Sequence, residues 1–303
     1  MRVFITGATG WVGSATVDEF TAAGHTVVGL VRSAQSADAL AGKGVIALRG
    51  DLDDLDSLRR GASEADAVVH LANKHDWANP VATNQTERTA VQTLGDALAG
   101  SGRPLLVASA VAGVVQGRSA AEDDASPAIG LHSLRGGSEN LTLDYADRGV
   151  RAMVVRLSPS VHGLGDRVGF IPSIIHAAKR HGTSAYLGDG SHSWSAVHNS
   201  DTARLIRLAV DKAPAGARLH AVAEEAITTR AIAEAVGAAF SIPVTSLPAE
   251  TTVEGAVEHF GPTGRFFRMN VTATNDVTAD LLDWHPSGPT LLDDIAGGAY
   301  DTV

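Results

Sequence analysis

The stretch Arg2-Val3-Phe4-Ile5-Thr6-Gly7-Ala8-Thr9-Gly10-Trp11-Val12-Gly13 decides how this 303-residue chain folds. Arg2–Ile5 is a short, nearly continuous apolar run and reads as a strand buried on both faces. Three glycines at intervals of three follow, and a helical pattern over Val12–Ala23 begins at once. Gly7 permits a tight turn, Gly10 lets the backbone approach a bound group with no Cβ in the way, and Gly13 lets helix and strand pack closely. The unpaired N–H groups at the start of such a helix favour an anion, and a pyrophosphate suits this arrangement. The glycine spacing alone is a weak signal; set between a strand and a helix it is a strong one.

The same rhythm continues outward. Strands are predicted over Thr26–Val31, Val45–Leu48, Ala67–Leu71, Leu105–Ser109 and Ala152–Leu157. Helices are predicted over Leu55–Ala62, Gln85–Ala99 and Ser138–Arg148. Strict alternation of strand and helix implies right-handed βαβ units. The fold class is therefore α/β, a doubly wound parallel sheet of the Rossmann type, with a smaller C-terminal substrate lobe. Asp51 is expected to cap the Leu55–Ala62 helix, with Asp53 and Asp54 at its positive end and Arg59 and Arg60 at its negative end. The acidic run Asp51–Asp56 lacks the central Gly and terminal Glu of a calcium loop, so no metal is expected there. The 12 histidines are scattered without paired-ligand spacing, and no metal site is expected elsewhere.

After residue 165 the alternation loosens. Phe170–Arg180, Val197–Val210 and Thr229–Phe240 read as helices and Arg218–Val222 as a strand, while the tail carries Pro243, Pro248, Pro262, Pro286 and Pro289 in irregular context. We assign 1–165 plus about 196–222 to the dinucleotide-binding domain, and about 166–195 plus 223–303 to the substrate lobe. A hydrophobic content of 44% argues for a packed globular protein, and the formal charge of −10 gives no counterion-release drive toward nucleic acid. There is no cysteine, which removes disulfide and thiolate chemistry. No apolar run approaches the roughly 18–20 residues of a membrane span, and the first residues do not resemble a secretion signal. The expectation is a cytoplasmic protein with a small-molecule substrate and no nucleic-acid or membrane partner.

Site residues follow from the strand ends. Gly7, Thr9, Gly10, Trp11 and Val12 form the phosphate loop. An acid usually ends the second strand where NAD is preferred; here Val31 is followed by Arg32 and Ser33. A guanidinium pairs with a 2′-phosphate, and a charge-assisted bond of roughly 1.5–3 kcal/mol favours NADP(H) over NAD(H) by about ten- to a hundredfold. Asp51 and Leu52 end the third strand, where the adenine lies. Leu71, Ala72 and Asn73 end the fourth, beside the nicotinamide ribose.

Several of these segments together resemble the extended short-chain dehydrogenase/reductase family, which includes sugar-nucleotide epimerases and dehydratases. They are Thr6–Gly13, Asp51-Leu52, His70-Leu71-Ala72, Leu105–Ala110, Val155-Arg156-Leu157-Ser158-Pro159, Leu187-Gly188-Asp189-Gly190 and Val197–Ala203. The resemblance implies NAD(P) binding, adds Ser158 to the cofactor-binding set, and implies possible dimerisation through helices such as Gln85–Ala99 and Ser138–Arg148. It also implies catalysis by a Ser or Thr with a Tyr-x-x-x-Lys helix. Ser109 is present, but Leu131 stands at the Tyr position and Arg135 at the Lys position. This resembles the atypical branch that keeps the glycine loop and loses the motif. Leu131 donates no proton. Ser109, His132 and Arg135 are the catalytic candidates, with Arg135 also a cofactor ligand. His75, Trp77, His162, His192 and Trp194 are further residues near the expected pocket, and Tyr145 is expected in the core. The leading expectation is hydride transfer to or from a small carbonyl or alcohol. The alternatives are a non-catalytic NADP(H) sensor and a nucleotide-sugar epimerase or dehydratase.

Overall fold

A computed structural model describes all residues, 1–303. The strands are β1 (Arg2–Thr6), β2 (Thr26–Val31), β3 (Ile46–Arg49), β4 (Ala67–His70), β5 (Pro104–Ala110), β6 (Arg151–Leu157), β7 (Ser160–His162), β8 (Ser184–Leu187), β9 (Ser193–His198), β10 (Arg218–Ala221), β11 (Glu224–Thr228) and β12 (Val244–Leu247). The helices are α1 (Trp11–Ala22), α2 (Ala34–Ala41), α3 (Leu55–Ser63), α4 (Pro80–Leu98), α5 (Ser138–Leu143), α6 (Phe170–His181), α7 (Asn199–Lys212), α8 (Thr229–Phe240), α9 (Val253–Phe260), α10 (Asp276–Leu282) and α11 (Leu291–Ala296).

Seven parallel strands make the central sheet, in the order β10-β6-β5-β4-β1-β2-β3. Alternate residues of each strand feed opposite faces. Val3 and Ile5 join a core with Val17 and Phe20 of α1 and Leu205 and Ile206 of α7. Phe4 joins a second core with Leu58 of α3 and Val91 and Leu94 of α4. This double burial is why the strands read as continuous apolar runs. The strand order reverses at β1, which pairs with β2 on one side and β4 on the other. Ligands of such sheets bind outside the carboxyl ends of the strands at that reversal. A third core gathers Ile171 and Ile175 of α6, Trp194 of β9, Ile232 and Val236 of α8, Phe260, Phe267 and Leu291. No helix is long and apolar enough to cross a membrane.

Several element boundaries differ from the sequence reading. The helix expected over Val197–Val210 begins at Asn199, because Val197 and His198 pair with Val161 and His162 of β7. α4 starts at Pro80, five residues before Gln85, with proline in its first turn where a missing N–H costs nothing. Asp51 does not cap α3. Asp54 does, accepting the Ser57 N–H, while Asp51 accepts the N–H groups of Asp53 and Asp54 at 2.8 and 3.0 Å. The segment Ser138–Arg148 is α5 followed by a 3₁₀ turn over Asp144–Arg148. The proline-bearing tail holds β12, α9, α10 and α11, elements of four to eight residues. Elements this short carry too few apolar repeats to show a period and are held by tertiary packing.

Candidate functional site

The glycine loop is shaped by close approach. Gly7 has φ +73°, and a Cβ there would lie 2.8 Å from the Ala72 nitrogen. A Cβ on Gly13 would lie 1.9 Å from the Gly7 carbonyl oxygen, so α1 reaches the loop only because that side chain is absent. Gly10 is the N-cap of α1 and no side chain bonds to the helix end, so its leading N–H groups are open to a ligand. Trp11 does more than the loop reading assigned. Its Nε1 donates to the Val161 carbonyl (2.7 Å), and Asn199 Nδ2 donates to the Trp11 carbonyl (3.1 Å), tying the loop to β7 and α7. Val12 packs against the core beneath. A cleft of about 520 Å³ opens beside Thr9, Gly10 and Trp11, with Arg167 and His198 also in its wall.

At the adenosine end, Val31 is buried, and Arg32 lies exposed at the end of β2. The Ser33 hydroxyl accepts the Ser36 N–H and caps α2. Leu52 is buried under the third strand's end, and the Asp51 carboxylate is engaged in its own turn.

At the other end of the reversal, Thr6 and His70 are register partners, with Thr6 Oγ1 and His70 Nδ1 2.8 Å apart. Thr6 Oγ1 also accepts the Ala72 N–H (3.3 Å). Burial lowers the His70 pKa to about 4, outweighing the pull of Glu87, so the imidazole is neutral. Leu71 donates its N–H to the Thr6 carbonyl. Asn73 Nδ2 donates to Glu87 Oε2, and Asn73 Oδ1 accepts the His75 N–H at 2.8 Å. Glu87 Oε1 accepts from Arg135 Nε (3.0 Å) and Nη2 (2.5 Å). Glu87, 1% exposed in the middle of α4, thus holds two sequence-selected residues, Asn73 and Arg135, from one carboxylate. Sequence reasoning missed it, since an isolated Glu in a helix looks like any solvent-facing residue.

The Tyr-x-x-x-Lys helix implied by the resemblance does not form over 131–135. Leu131 and His132 lie in a turn, and Arg135, Gly136 and Gly137 adopt left-handed backbone at φ +49°, +62° and +65°. Two successive glycines there make the left-handed run accessible. Asn84 Nδ2 donates to the Leu131 and Ser133 carbonyls, and Arg88 Nη1 to the Gly136 carbonyl, fastening the segment to α4. Ser109 and Arg135 line one small cavity of about 10 Å³, with Ala110, Leu134 and Glu139 among its walls. His132 is exposed and does not line it.

Ser109 is fixed from behind. Its Oγ donates to Glu139 Oε2 (2.7 Å), and Glu139 Oε1 accepts from Arg156 Nη2 (2.6 Å), with both ionic partners buried. Arg156 also donates to the Asp124 carbonyl (2.6 Å) and lies 3.1 Å from His220 Nε2. The Ser158 hydroxyl is turned into the protein and donates to the Ala221 carbonyl (2.7 Å). His162 Nδ1 meets Asp294 Oδ2 at 2.6 Å in a buried pair, Trp194 is buried in the third core, and His192 lines a separate surface cleft with Asp189 and Arg268. Tyr145 is buried, and its hydroxyl donates to Asp96 Oδ1 (2.9 Å).

The chain belongs to the NAD dependent epimerase/dehydratase family, whose profile matches residues 3–222. This agrees with the resemblance to extended short-chain dehydrogenases/reductases. Among its relatives is the uncharacterized protein C2A9.02 of Schizosaccharomyces pombe, 39% identical over 301 residues, covering 99% of this chain and 100% of the relative. Another is the 2′-dehydrokanamycin reductase of Streptomyces kanamyceticus, 30% identical over 268 residues, covering 84% and 71%. The fold is shared with DesIV, the dTDP-glucose 4,6-dehydratase of Streptomyces venezuelae solved with NAD bound, at a TM-score of 0.76, 20% identity and coverage of 99% and 96%.

Proposed function

We propose that this protein is an NADP(H)-dependent oxidoreductase that interconverts a small carbonyl compound and its alcohol. The observation that carries the reading is the glycine loop at the strand reversal, with its uncapped helix start and an adjoining cleft of about 520 Å³; Ser109 and Arg135 meet at a small cavity at the carboxyl end of β5, two strands from β1. The residues present fit a dinucleotide: an uncapped helix start faces outward at Gly10, and Gly7 and Gly13 leave no side chain between loop, helix and β4. When bound, the dinucleotide supplies or accepts the hydride. Arg135 polarises the substrate oxygen from a position that Glu87 fixes, while Ser109, whose own hydrogen goes to Glu139, offers its Oγ as an acceptor to the substrate hydroxyl. Charge on the cavity wall is already paired, Arg135 with Glu87 and Glu139 with Arg156. That balance suits an uncharged substrate better than a nucleotide sugar, whose diphosphate needs free cations.

The preference for NADP(H) is supported by the exposed Arg32 after β2, with no acid at that strand end. The reductase direction is supported by the relative named a 2′-dehydrokanamycin reductase. The test is NADPH oxidation across a panel of aldehydes, ketones and enones. Turnover with an uncharged carbonyl supports the reading. Tight NADPH binding without turnover on any member refutes it and favours a binding protein.

A further inference from the structure

The cleft of about 520 Å³ beside Thr9, Gly10 and Trp11 has a second wall, the turn Gly163–Gly169 between β7 and α6. That turn is pinned from inside by Asp166, which is 2% exposed. Asp166 Oδ1 accepts the N–H groups of Val168 (3.2 Å) and Gly169 (2.9 Å), and the Asp166 N–H donates to the Gly163 carbonyl (3.2 Å). A Cβ on Gly165 would lie 3.7 Å from the Trp11 ring, so the turn packs against the tryptophan of the glycine loop itself. With Asp166 turned inward, its neighbour Arg167 stands exposed and lines the cleft.

The charges around the cleft leave Arg167 alone. Asp18, the acid in the wall, is bound by Lys43 at 2.7 Å. His198 is neutral: its Nδ1 accepts the Ser200 N–H (3.3 Å), which a protonated ring cannot do, and burial holds its pKa below the ordinary value. Arg167 is the remaining charge, a guanidinium without an ion-pair partner. The glycine loop offers a pyrophosphate N–H groups and roughly half a positive charge at the start of α1. Each phosphate of that group carries a negative charge, and the whole chain carries −10. The loop therefore leaves most of the pyrophosphate charge unmatched, and a planar guanidinium on the facing wall matches it in charge and in hydrogen-bond geometry.

We propose that Arg167 is the residue that neutralises the pyrophosphate of the bound dinucleotide, holding it from the β7–α6 turn against the glycine loop. The inference rests on the cofactor site of the reading above and not on its reaction. The chemistry recognised is a diphosphate, and the dinucleotide is its source because the cleft that Arg167 lines is shared with the glycine loop. Arg32 and Arg167 then divide the cofactor between them, the 2′-phosphate to the end of β2 and the pyrophosphate to the turn before α6.

ADP-ribose separates the two roles, since it carries the pyrophosphate and lacks the 2′-phosphate. Calorimetric titration of ADP-ribose is expected to show a loss of affinity of about ten- to a hundredfold in Arg167→Gln, an intermediate loss in Arg167→Lys, and no change in Arg32→Ala. NADPH is expected to lose affinity in both Arg167→Gln and Arg32→Ala, with the two effects additive in the double variant. Arg167 is exposed, so its variants are expected to keep the parent's urea midpoint, which separates a lost contact from lost folding. ADP-ribose affinity in Arg167→Gln equal to that of the parent overturns the proposal. UDP-glucose titrated into the NADPH-loaded protein tests the other source: binding that depends on Arg167, with ADP-ribose affinity unmoved, overturns the proposal and also the uncharged substrate. Arg167-dependent ADP-ribose binding in a parent that turns over no carbonyl refutes the oxidoreductase reading and leaves Arg167 in its place.

Discussion

Replacing Glu139 by glutamine removes the charge that faces the fully buried Arg156. The Arg156 guanidinium bonds Glu139 at 2.6 Å with a side-chain exposure of 0%, against 4% for Glu139, and Arg218 Nε lies 3.9 Å from the same carboxylate. Breaking a buried pair by removing one partner costs about 3–5 kcal/mol, because the remaining charge has neither water nor a counterion. Glutamine still offers one oxygen to Arg156 or Ser109, which places the expected loss near the lower end, about 3 kcal/mol. Against a typical total of about 5–15 kcal/mol, this is a large fraction of the stability. A chain of this size should lose on the order of 10 °C in Tm. The assay is urea unfolding followed by tryptophan fluorescence, since Trp194 and Trp284 are buried and report core opening. A second variant, Glu139→Gln with Arg156→Met, should recover part of the loss by removing the orphaned charge. A loss below about 1 kcal/mol for Glu139→Gln alone would refute the claim that this ion pair anchors Ser109 from behind.

Other outcomes follow from the same geometry. His70, with its pKa lowered to about 4 by burial, is neutral in the fold but charges in the unfolded chain. Its contribution is complete above its ordinary pKa and is lost as pH falls from there toward 4, about 3 kcal/mol in all; a parent that loses stability relative to His70→Asn between pH 7.5 and pH 4.5 supports this, and an unchanged stability difference between them across that range counts against it. Arg32→Ala should weaken NADPH binding by about ten- to a hundredfold and leave NADH binding nearly unchanged, measured by fluorescence titration of both cofactors; equal effects on the two would remove the 2′-phosphate contact. Gly13→Ala places a methyl 1.9 Å from the Gly7 carbonyl oxygen, with backbone on both sides and nothing flexible to yield. It should cost about 1–3 kcal/mol in urea unfolding and at least tenfold in dinucleotide affinity, and a variant that binds like the parent would contradict the described packing.

The sequence by itself determined the α/β class, the parallel sheet and the glycine loop. Those features depend on local pattern: apolar runs of strand length, glycines at a fixed interval, and a helix that begins directly after them. The exposed Arg32 at the end of β2 was legible for the same reason, since a strand end is defined by the few residues around it. Tertiary structure alone decided the rest of the site. Glu87 is one polar residue among several on α4, and its buried carboxylate meets Asn73 and Arg135, 14 positions before it and 48 after it. The turn over 131–135 replaced the helix implied by resemblance, because Gly136 and Gly137 admit a left-handed path and Asn84 and Arg88 of α4 hold it there. Ser109 was chosen from its strand end, but its orientation comes from the buried Glu139–Arg156 pair, whose members lie on α5 and β6. Local chain energetics select strands, turns and helix starts; which charges meet across distant segments depends on the packed three-dimensional arrangement, where burial makes each pairing obligatory.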